Sequence, residues 1–455
     1  MRSRPVLAAP LVLTLLVAGC SGRGGTETEA ATSTASAAAV TGDFGDLKNV
    51  CQAGQVSSSP TQGVTATEIK VGTFTDVGFT KKSEFVDAAK VFTSWCNAAG
   101  GINGRKLVST TRDSKLFEVR QRMAESCRED FASVGGGSAL DSLGVKDRLT
   151  CTLPEFPAQV SGEIGADLQI SLQGSPAFNP YSGYYSWLLK EAYPDSAGSV
   201  GIIAADNPAV TVIAMQDTEG IKAVGGTVFF NDKYPAQGVS DWTPYAQSLK
   251  SKKVKGLIFL GDFLSLSKLE QVLTSIDYKL DWIDANNNAY GPAFIQLAAT
   301  SLAAQNNLAD LNGVYPLEKT ADNPATKAVV DLFAKYAPGA QVTLPAIKAF
   351  AEWLLFAKAA ASCGDALTRT CLYTAARKET AWSGGGLVAP VDISSTDTGR
   401  ACFNVEKATA AGWVPADFKP DQGAYRCDIP PYKFTGQYPK PLTLADVGKS
   451  MSDVK

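Results

Sequence analysis

The side chains in this 455-residue sequence best placed for chemistry lie in short polar segments that directly follow apolar runs. They are Thr75-Asp76, Gly137-Ser138 with Asp141, Ser175-Pro176, Asp206-Asn207, Gly261-Asp262-Phe263 and the run Asn286-Asn287-Asn288-Ala289-Tyr290. Hydroxyl, carboxylate and amide groups at such places can hold a polar guest by hydrogen bonds. From these segments Asp76, Gly137, Ser138, Ser175, Asn207, Asp262, Phe263, Asn288 and Tyr290 are the candidate ligand-binding residues. Ser138 stands out, because the glycines before it let a guest approach backbone amides and its hydroxyl can both donate and accept. Each carboxylate has a competing structural role: Asp141, Asp206 and Asp262 can cap helices by accepting from first-turn amides. Phe263 and Tyr290 serve equally well as core aromatics.

The chemistry that is missing is as informative. The chain has no histidine, which removes the Ser-His-Asp triad, the Cys-His pair and histidine-bound zinc together. A serine with a lysine base survives that exclusion, but Ser138-Ala139-Leu140-Asp141 offers no Ser-x-x-Lys spacing. No catalytic residue, metal or cofactor is therefore expected. Eight cysteines follow Cys20: Cys51, Cys96, Cys127, Cys151, Cys363, Cys371, Cys402 and Cys427. No CxxC spacing occurs among them, and an even count in an exported chain favours disulfides over metal. Pairing each cysteine with its sequence neighbour gives Cys51–Cys96, Cys127–Cys151, Cys363–Cys371 and Cys402–Cys427; other connectivities remain open.

Export is read from the first residues. Arg2 and Arg4 precede the apolar stretch Val6 to Val17, too short to span a bilayer. Val17-Ala18-Gly19-Cys20 resembles a bacterial lipobox, which implies cleavage before Cys20 and acylation of its thiol. Removal of the leader deletes two arginines and no acid, taking the formal charge from −3 to −5. That balance provides no footprint for nucleic acid. The Gly-, Ser-, Thr- and Ala-rich stretch Ser21 to Ala39 reads as a flexible tether.

These segments need a scaffold, and the pattern supplies one. Ile69 to Phe74 is a buried-strand run, and Phe85, Ala89, Phe92, Cys96 and Ala99 share one face of a helix. Gly100-Gly101 stops it, and Asn103-Gly104 turns into the strand Lys106 to Thr111. A second helix is expected with Phe117, Ala124, Cys127 and Phe131 on one face. Strands at Ser199 to Ala204, Gly226 to Phe230, Gly256 to Leu260, Leu280 to Asp284 and Gly313 to Tyr315 alternate with helices at Val210 to Ala223, Trp242 to Ser251 and Leu264 to Ser275. Two more helices span Pro324 to Tyr336 and Leu344 to Ala361, and the region beyond Leu372 is loop-rich. Such alternation predicts an α/β fold of two doubly wound parallel-sheet lobes, split near Tyr181.

The stretch Asn97-Ala98-Ala99-Gly100-Gly101-Ile102-Asn103-Gly104-Arg105-Lys106 resembles a signature of the type I periplasmic binding proteins, the substrate-binding components of ABC importers for branched-chain amino acids and related polar molecules. The Gly135-Gly136-Gly137-Ser138 and Ala204-Ala205-Asp206-Asn207-Pro208 strand ends and the helix Phe350 to Ala357 are similar too. The resemblance implies a hinge, with a ligand cleft between the lobes. It divides the chain into a leader 1–19, a lipidated start and tether 20–64, lobe 1 at 65–180 plus 318–371, lobe 2 at 181–317 plus 372–430, and a tail 431–455. It also implies the partners: a small polar ligand such as a branched-chain amino acid, amide or urea-like molecule, an ABC permease and ATPase, and membrane lipid through Cys20. The location implied is extracytoplasmic. Better-known amino-acid binders of the family carry a threonine after an Ala-Ala pair, whereas Gln173-Gly174-Ser175-Pro176 stands here. An ammonium, amide or urea group therefore remains an open choice. A sensory receptor without transport, or an amidase-like enzyme, are the competing functions.

Overall fold

The structure is a computed structural model that describes residues 40–58 and 61–455. The expected lipidation site Cys20 and the tether Ser21 to Ala39 lie outside the described residues. In chain order the first elements are β1 (Glu68–Thr75), α1 (Val77–Thr80), α2 (Glu84–Ala98), β2 (Lys106–Asp113), α3 (Val119–Glu129), β3 (Ala132–Val134), α4 (Ser142–Thr150) and β4 (Glu155–Phe156). A passage follows through β5 (Phe178–Asn179) and α5 (Ser182–Trp187) to β6 (Val200–Asp206), α6 (Pro208–Ala223), β7 (Val228–Pro235), α7 (Thr243–Ser251) and β8 (Gly256–Leu260). Next come α8 (Phe263–Ser275), β9 (Trp282–Asp284), α9 (Pro292–Leu297), β10 (Asn307–Asp310), α10 (Pro324–Tyr336), α11 (Leu344–Cys363) and α12 (Arg369–Ala376). The last strands are β11 (Val405–Thr409), β12 (Gly412–Pro415) and β13 (Tyr432–Lys433).

Eleven of these strands form two main sheets, and β5 pairs with β13 in a separate two-stranded one. The first has order β2-β1-β3-β4, all parallel. The second has order β12-β11-β10-β9-β8-β6-β7, parallel from β10 to β7 with β11 and β12 antiparallel at one edge. The central strand β8 is apolar along its whole length, as burial on both faces demands: Gly256 to Leu260 is buried throughout. α2, α10, α11 and α12 pack together against the first sheet. In α11 the apolar face widens until fifteen of its twenty residues are buried, including Trp353, Phe350 and Phe356. One buried cluster runs from the first sheet through Leu311, Val314 and Val388 onto one face of the second.

The junction that carried the family resemblance is a structural knot. Gly101 has φ +79°, and a Cβ there would sit 2.2 Å from the Arg105 carbonyl oxygen, so only glycine fits. Asn103 and Gly104 both have positive φ, the turn that joins Ile102 and Arg105 in an antiparallel bridge. The Asn97 side chain closes both sides of Leu107, accepting from its amide at 2.8 Å and donating to its carbonyl at 2.9 Å. Arg105 is fully buried and donates to the carbonyls of Thr65, Gly364 and Ser58. The motif therefore ties α2, β2, the N-terminal segment and the end of α11 together.

Four disulfides join Cys51–Cys96, Cys127–Cys151, Cys363–Cys371 and Cys402–Cys427, the neighbour pairing. The structure corrects three readings. α3 begins at Val119 and buries Val119, Met123 and Ser126; Phe117 lies outside it and is 72% exposed. Gly313 to Tyr315 is no strand: the strand is β10, six residues earlier, and Val314 makes one isolated bridge to Val388. The region beyond Leu372 adds β11 and β12 to the second sheet.

Residues 431–455 are docked rather than loose. β13 pairs antiparallel with β5. Glu219 of α6 accepts from the hydroxyls of Tyr432 (3.0 Å) and Tyr438 (2.6 Å), from the Thr435 amide (2.6 Å) and hydroxyl (3.0 Å), and from the Gly436 amide (3.1 Å). Burial works to raise the Glu219 carboxyl, but the Tyr438, Thr435 and Gly436 donors outweigh it and bring it down to about 2. Beyond that point Leu444 and Val454 pack with Val145 and Leu149 of α4, and the Lys455 carbonyl accepts from the Arg369 amide of α12. The chain thus passes between the two sheets' bodies four times: at 170–181, 311–323, 377–404 and 416–443.

Candidate functional site

In parallel sheets the free amides of helix starts and the connecting loops gather beyond the strand carboxyl ends. On the first sheet those loops are bound together by Asp76. Its carboxylate accepts from the Leu116 amide (2.8 Å) and Ala139 amide (2.8 Å), and from the hydroxyls of Ser138 (3.1 Å) and Ser114. One side chain after β1 thus fixes the loops after β2 and β3. Ser138 is 3% exposed, and its hydroxyl is engaged with Asp76 and with Ser114 at 3.1 Å. Gly137 and Ser138 line a small pocket with Phe74, Asp141, Arg148 and Gln159, with room for little more than a water. Asp141 caps α4 and also accepts from the Ser161 and Gly162 amides. Burial nevertheless raises its carboxyl to about 6.

On the second sheet several candidates are structural. Asn207 caps α6 through the Val210 amide at 2.9 Å, and Asp262 caps α8 through the Ser265 amide at 2.8 Å. Tyr290 is buried, accepts from the Leu317 amide at 2.7 Å, donates to Glu318, and packs edge-on to Trp413. Asn288 is exposed and donates to the Gly261 carbonyl at 2.9 Å. Ser175 closes a turn in the first passage by accepting from the Ala177 amide. Phe263 differs. It opens α8, packs edge-on to Phe294, and lies under the Lys82 ammonium at 5.1 Å. Lys82 belongs to the loop after α1, so this cation–π contact joins the carboxyl-end loops of the two sheets.

The structure therefore gathers Asp76, Gly137 and Ser138 on one body, and Asp262, Phe263 and Asn288 on the other. Asn207, Asp262, Ser175 and Tyr290 are taken up by caps, turns and packing. A second pocket was missed by reasoning from sequence. It is lined by Tyr181, Tyr185, Asp217, Leu260, Asp284, Asn286, Asn287 and Asp310. Asp284 and Asp310 are the last residues of β9 and β10. A carboxylate ending an apolar strand was the available signal, and for β10 the strand itself went unread. Burial raises all three carboxyls: Asp217 to about 7, Asp284 to about 8 with help from its two neighbours, and Asp310 to about 6. Among the described residues no group of His, Cys, Asp and Glu is placed to hold a metal, and no helix is long and apolar enough to cross a membrane.

Comparison with known proteins agrees with this architecture. A family model described as periplasmic binding protein matches residues 68–410. No curated protein sequence matches the chain. A fatty acid ABC transporter substrate-binding protein from Thermomonospora curvata superposes with a TM-score of 0.65 at 17% identity, covering 84% of this chain and 98% of that one. A type 1 periplasmic binding protein from Bordetella pertussis gives 0.59 at 17% identity, covering 77% and 100%. The branched-chain amino acid transporter substrate-binding protein of Streptococcus pneumoniae, in complex with isoleucine, gives 0.58 at 15% identity, covering 75% and 96%. At such identities the likeness is one of fold.

Proposed function

The chain belongs to the periplasmic binding protein family, and from that premise we propose that it is an extracytoplasmic solute-binding lipoprotein that captures a small polar molecule and delivers it unchanged to an ABC importer. The observation that carries this reading is the meeting of two carboxyl-end loop sets, one from each sheet, at Lys82 and Phe263. A guest held between such loops touches both bodies, so it favours the arrangement in which they face each other; binding thereby becomes a change of shape that a permease can read. Asp76, Ser138, Phe263 and Asn288 stand at those loops and are the contacts we assign to the guest. Asp76 holds three loops in fixed register, which lowers the ordering cost of binding. Anchoring by acylated Cys20 rests on Val17-Ala18-Gly19-Cys20.

Nothing in this function requires bond making, in keeping with a chain that has no histidine. The structures of similar fold include a fatty acid transporter's binding protein and a complex with isoleucine, guests so unlike that the fold does not choose between them. The test is a thermal-shift screen of small metabolites against the purified full chain, with hits confirmed by calorimetry and the bound molecule recovered for mass spectrometry. A ligand at a hundred times its dissociation constant adds about 2.7 kcal/mol of stability. Recovery of the guest intact is the expected result; recovery of a converted product would replace the binding protein with an enzyme.

A further inference from the structure

We propose that the pocket at the carboxyl ends of β8, β9 and β10 receives the positively charged group, an ammonium or guanidinium, of the captured solute. This inference rests on the solute-binding reading and deepens it by naming a ligand class. Three carboxylates from three elements meet there: Asp217 of α6, Asp284 of β9 and Asp310 of β10. They are 2%, 6% and 2% exposed, and among the described residues none lies within ion-pair distance of a lysine or arginine. Asp217 Oδ2 and Asp310 Oδ2 are buried in the pocket wall with no hydrogen-bond partner. A buried carboxylate oxygen without a partner costs stability, and two in one small pocket mark a place arranged for something other than folding.

The surroundings narrow the choice of guest. Tyr181, Tyr184 and Tyr185 face the acids from the start of α5, Tyr438 from the tail, Lys348 from α11 and Arg400 from the third passage. The two cations bear on Asp310 alone; Arg400 is held beside Gly313, where a Cβ would come within 2.9 Å of its guanidinium. Asp217 and Asp284 are left without a cation. The carboxylates are too spread to chelate a metal, whereas an organic cation spreads several N–H donors over several acceptors. The corner that closes the pocket is held under load: Asn286 has φ +66° and ψ 157°, a region almost confined to glycine. The pocket is narrow in this conformation, so entry of a guest requires this corner to move.

A bound cation favours the ionised carboxylates, so binding releases protons and tightens as pH rises, by up to about tenfold per pH unit for each proton released. The experiment titrates the full chain by calorimetry at pH 6, 7 and 8 with methylammonium, guanidinium, putrescine and agmatine, and with 1,4-butanediol as the uncharged control. The expected result is binding of at least one cation, tighter at pH 8 than at pH 6, with none for the diol. The paired substitution Asp217→Asn with Asp284→Asn should weaken it at least tenfold, while Glu270→Gln, a buried acid outside the pocket, leaves it unchanged. Absence of cation binding, or binding indifferent to the paired substitution, overturns the proposal. If the metabolite screen yields only neutral or anionic guests, recovered intact, this inference falls and the solute-binding function stands. If a guest is chemically converted, that function falls first.

Discussion

Replacing Glu219 by alanine should free the C-terminal tail without unfolding the body beneath it. One carboxylate gathers donors from Tyr432, Thr435, Gly436 and Tyr438, while the other acid bonded to that stretch, Asp397, makes a single exposed ion pair with Lys433. Taken whole, the fall of its pKa from 4.5 to about 2 would correspond to about 3 kcal/mol. Glu219 is partly exposed, so water recovers part of this when the contacts break, and about 1–2 kcal/mol is the reasonable expectation. That corresponds to roughly a 5- to 30-fold rise in local opening. Hydrogen exchange at pH 7 should show the loss of protection over 432–438, with the amides of β6 and β8 unchanged. The sign with pH follows from the depressed pKa. The stabilisation is complete above the unfolded value near 4.5 and is lost as pH falls toward 2, so the wild-type tail should loosen in that acid window and the alanine variant should not change there. Unaltered protection over 432–438 in the variant, or a loss spread evenly through the second sheet, would refute the reasoning.

Three further outcomes are expected. Asp217→Asn should stabilise the protein at pH 8 and do little at pH 4: the folded pKa is raised, so the wild-type carboxyl is harmless below about 4 and costs up to about 4 kcal/mol as pH rises through 7. Equal urea midpoint differences at the two pH values would contradict this. Gly101→Ala should cost about 2–4 kcal/mol, since its Cβ meets the Arg105 carbonyl at 2.2 Å with φ +79°; thermal melts showing a loss under 1 kcal/mol would contradict the steric account. Lys82→Ala removes a cation–π contact joining the two loop sets, worth about 0.5–1 kcal/mol. It should shift the balance between closed and open forms about two- to fivefold, read by small-angle scattering or a fluorophore pair, and an unchanged distance distribution would count against it.

The fold was legible because long buried strands and amphipathic helices write their periods plainly, as β1, β8 and α11 do. The Asn97 to Lys106 junction named the family through residues that knot the backbone, and this is why it spoke for architecture while saying nothing of the guest. Shorter elements were hidden. β10 begins after Asn306 and opens with Asn307, so its four residues look like a turn, and β11 and β12 carry polar residues on an edge. The site was harder still. Met215-Gln216-Asp217-Thr218-Glu219 reads as a solvated helix face, yet Met215 is exposed, Asp217 is buried and Glu219 is claimed by the tail. Contacts made by residues more than two hundred positions away invert the local pattern. Asn207 and Asp262, chosen as ligand contacts, are caps by the same rule that made them attractive: helix starts need acceptors whether or not a guest is present.

The disulfides carry a consequence for how the molecule can be handled. Cys51–Cys96, Cys127–Cys151 and Cys363–Cys371 staple one body, whereas Cys402–Cys427 ties the third passage between the bodies to the fourth. Oxidation thus hardens the first body and also binds two of the connecting passages to each other. A reductant should therefore loosen the connections as well as the first body, and a single new cysteine pair set across the mouth would be enough to lock the molecule shut.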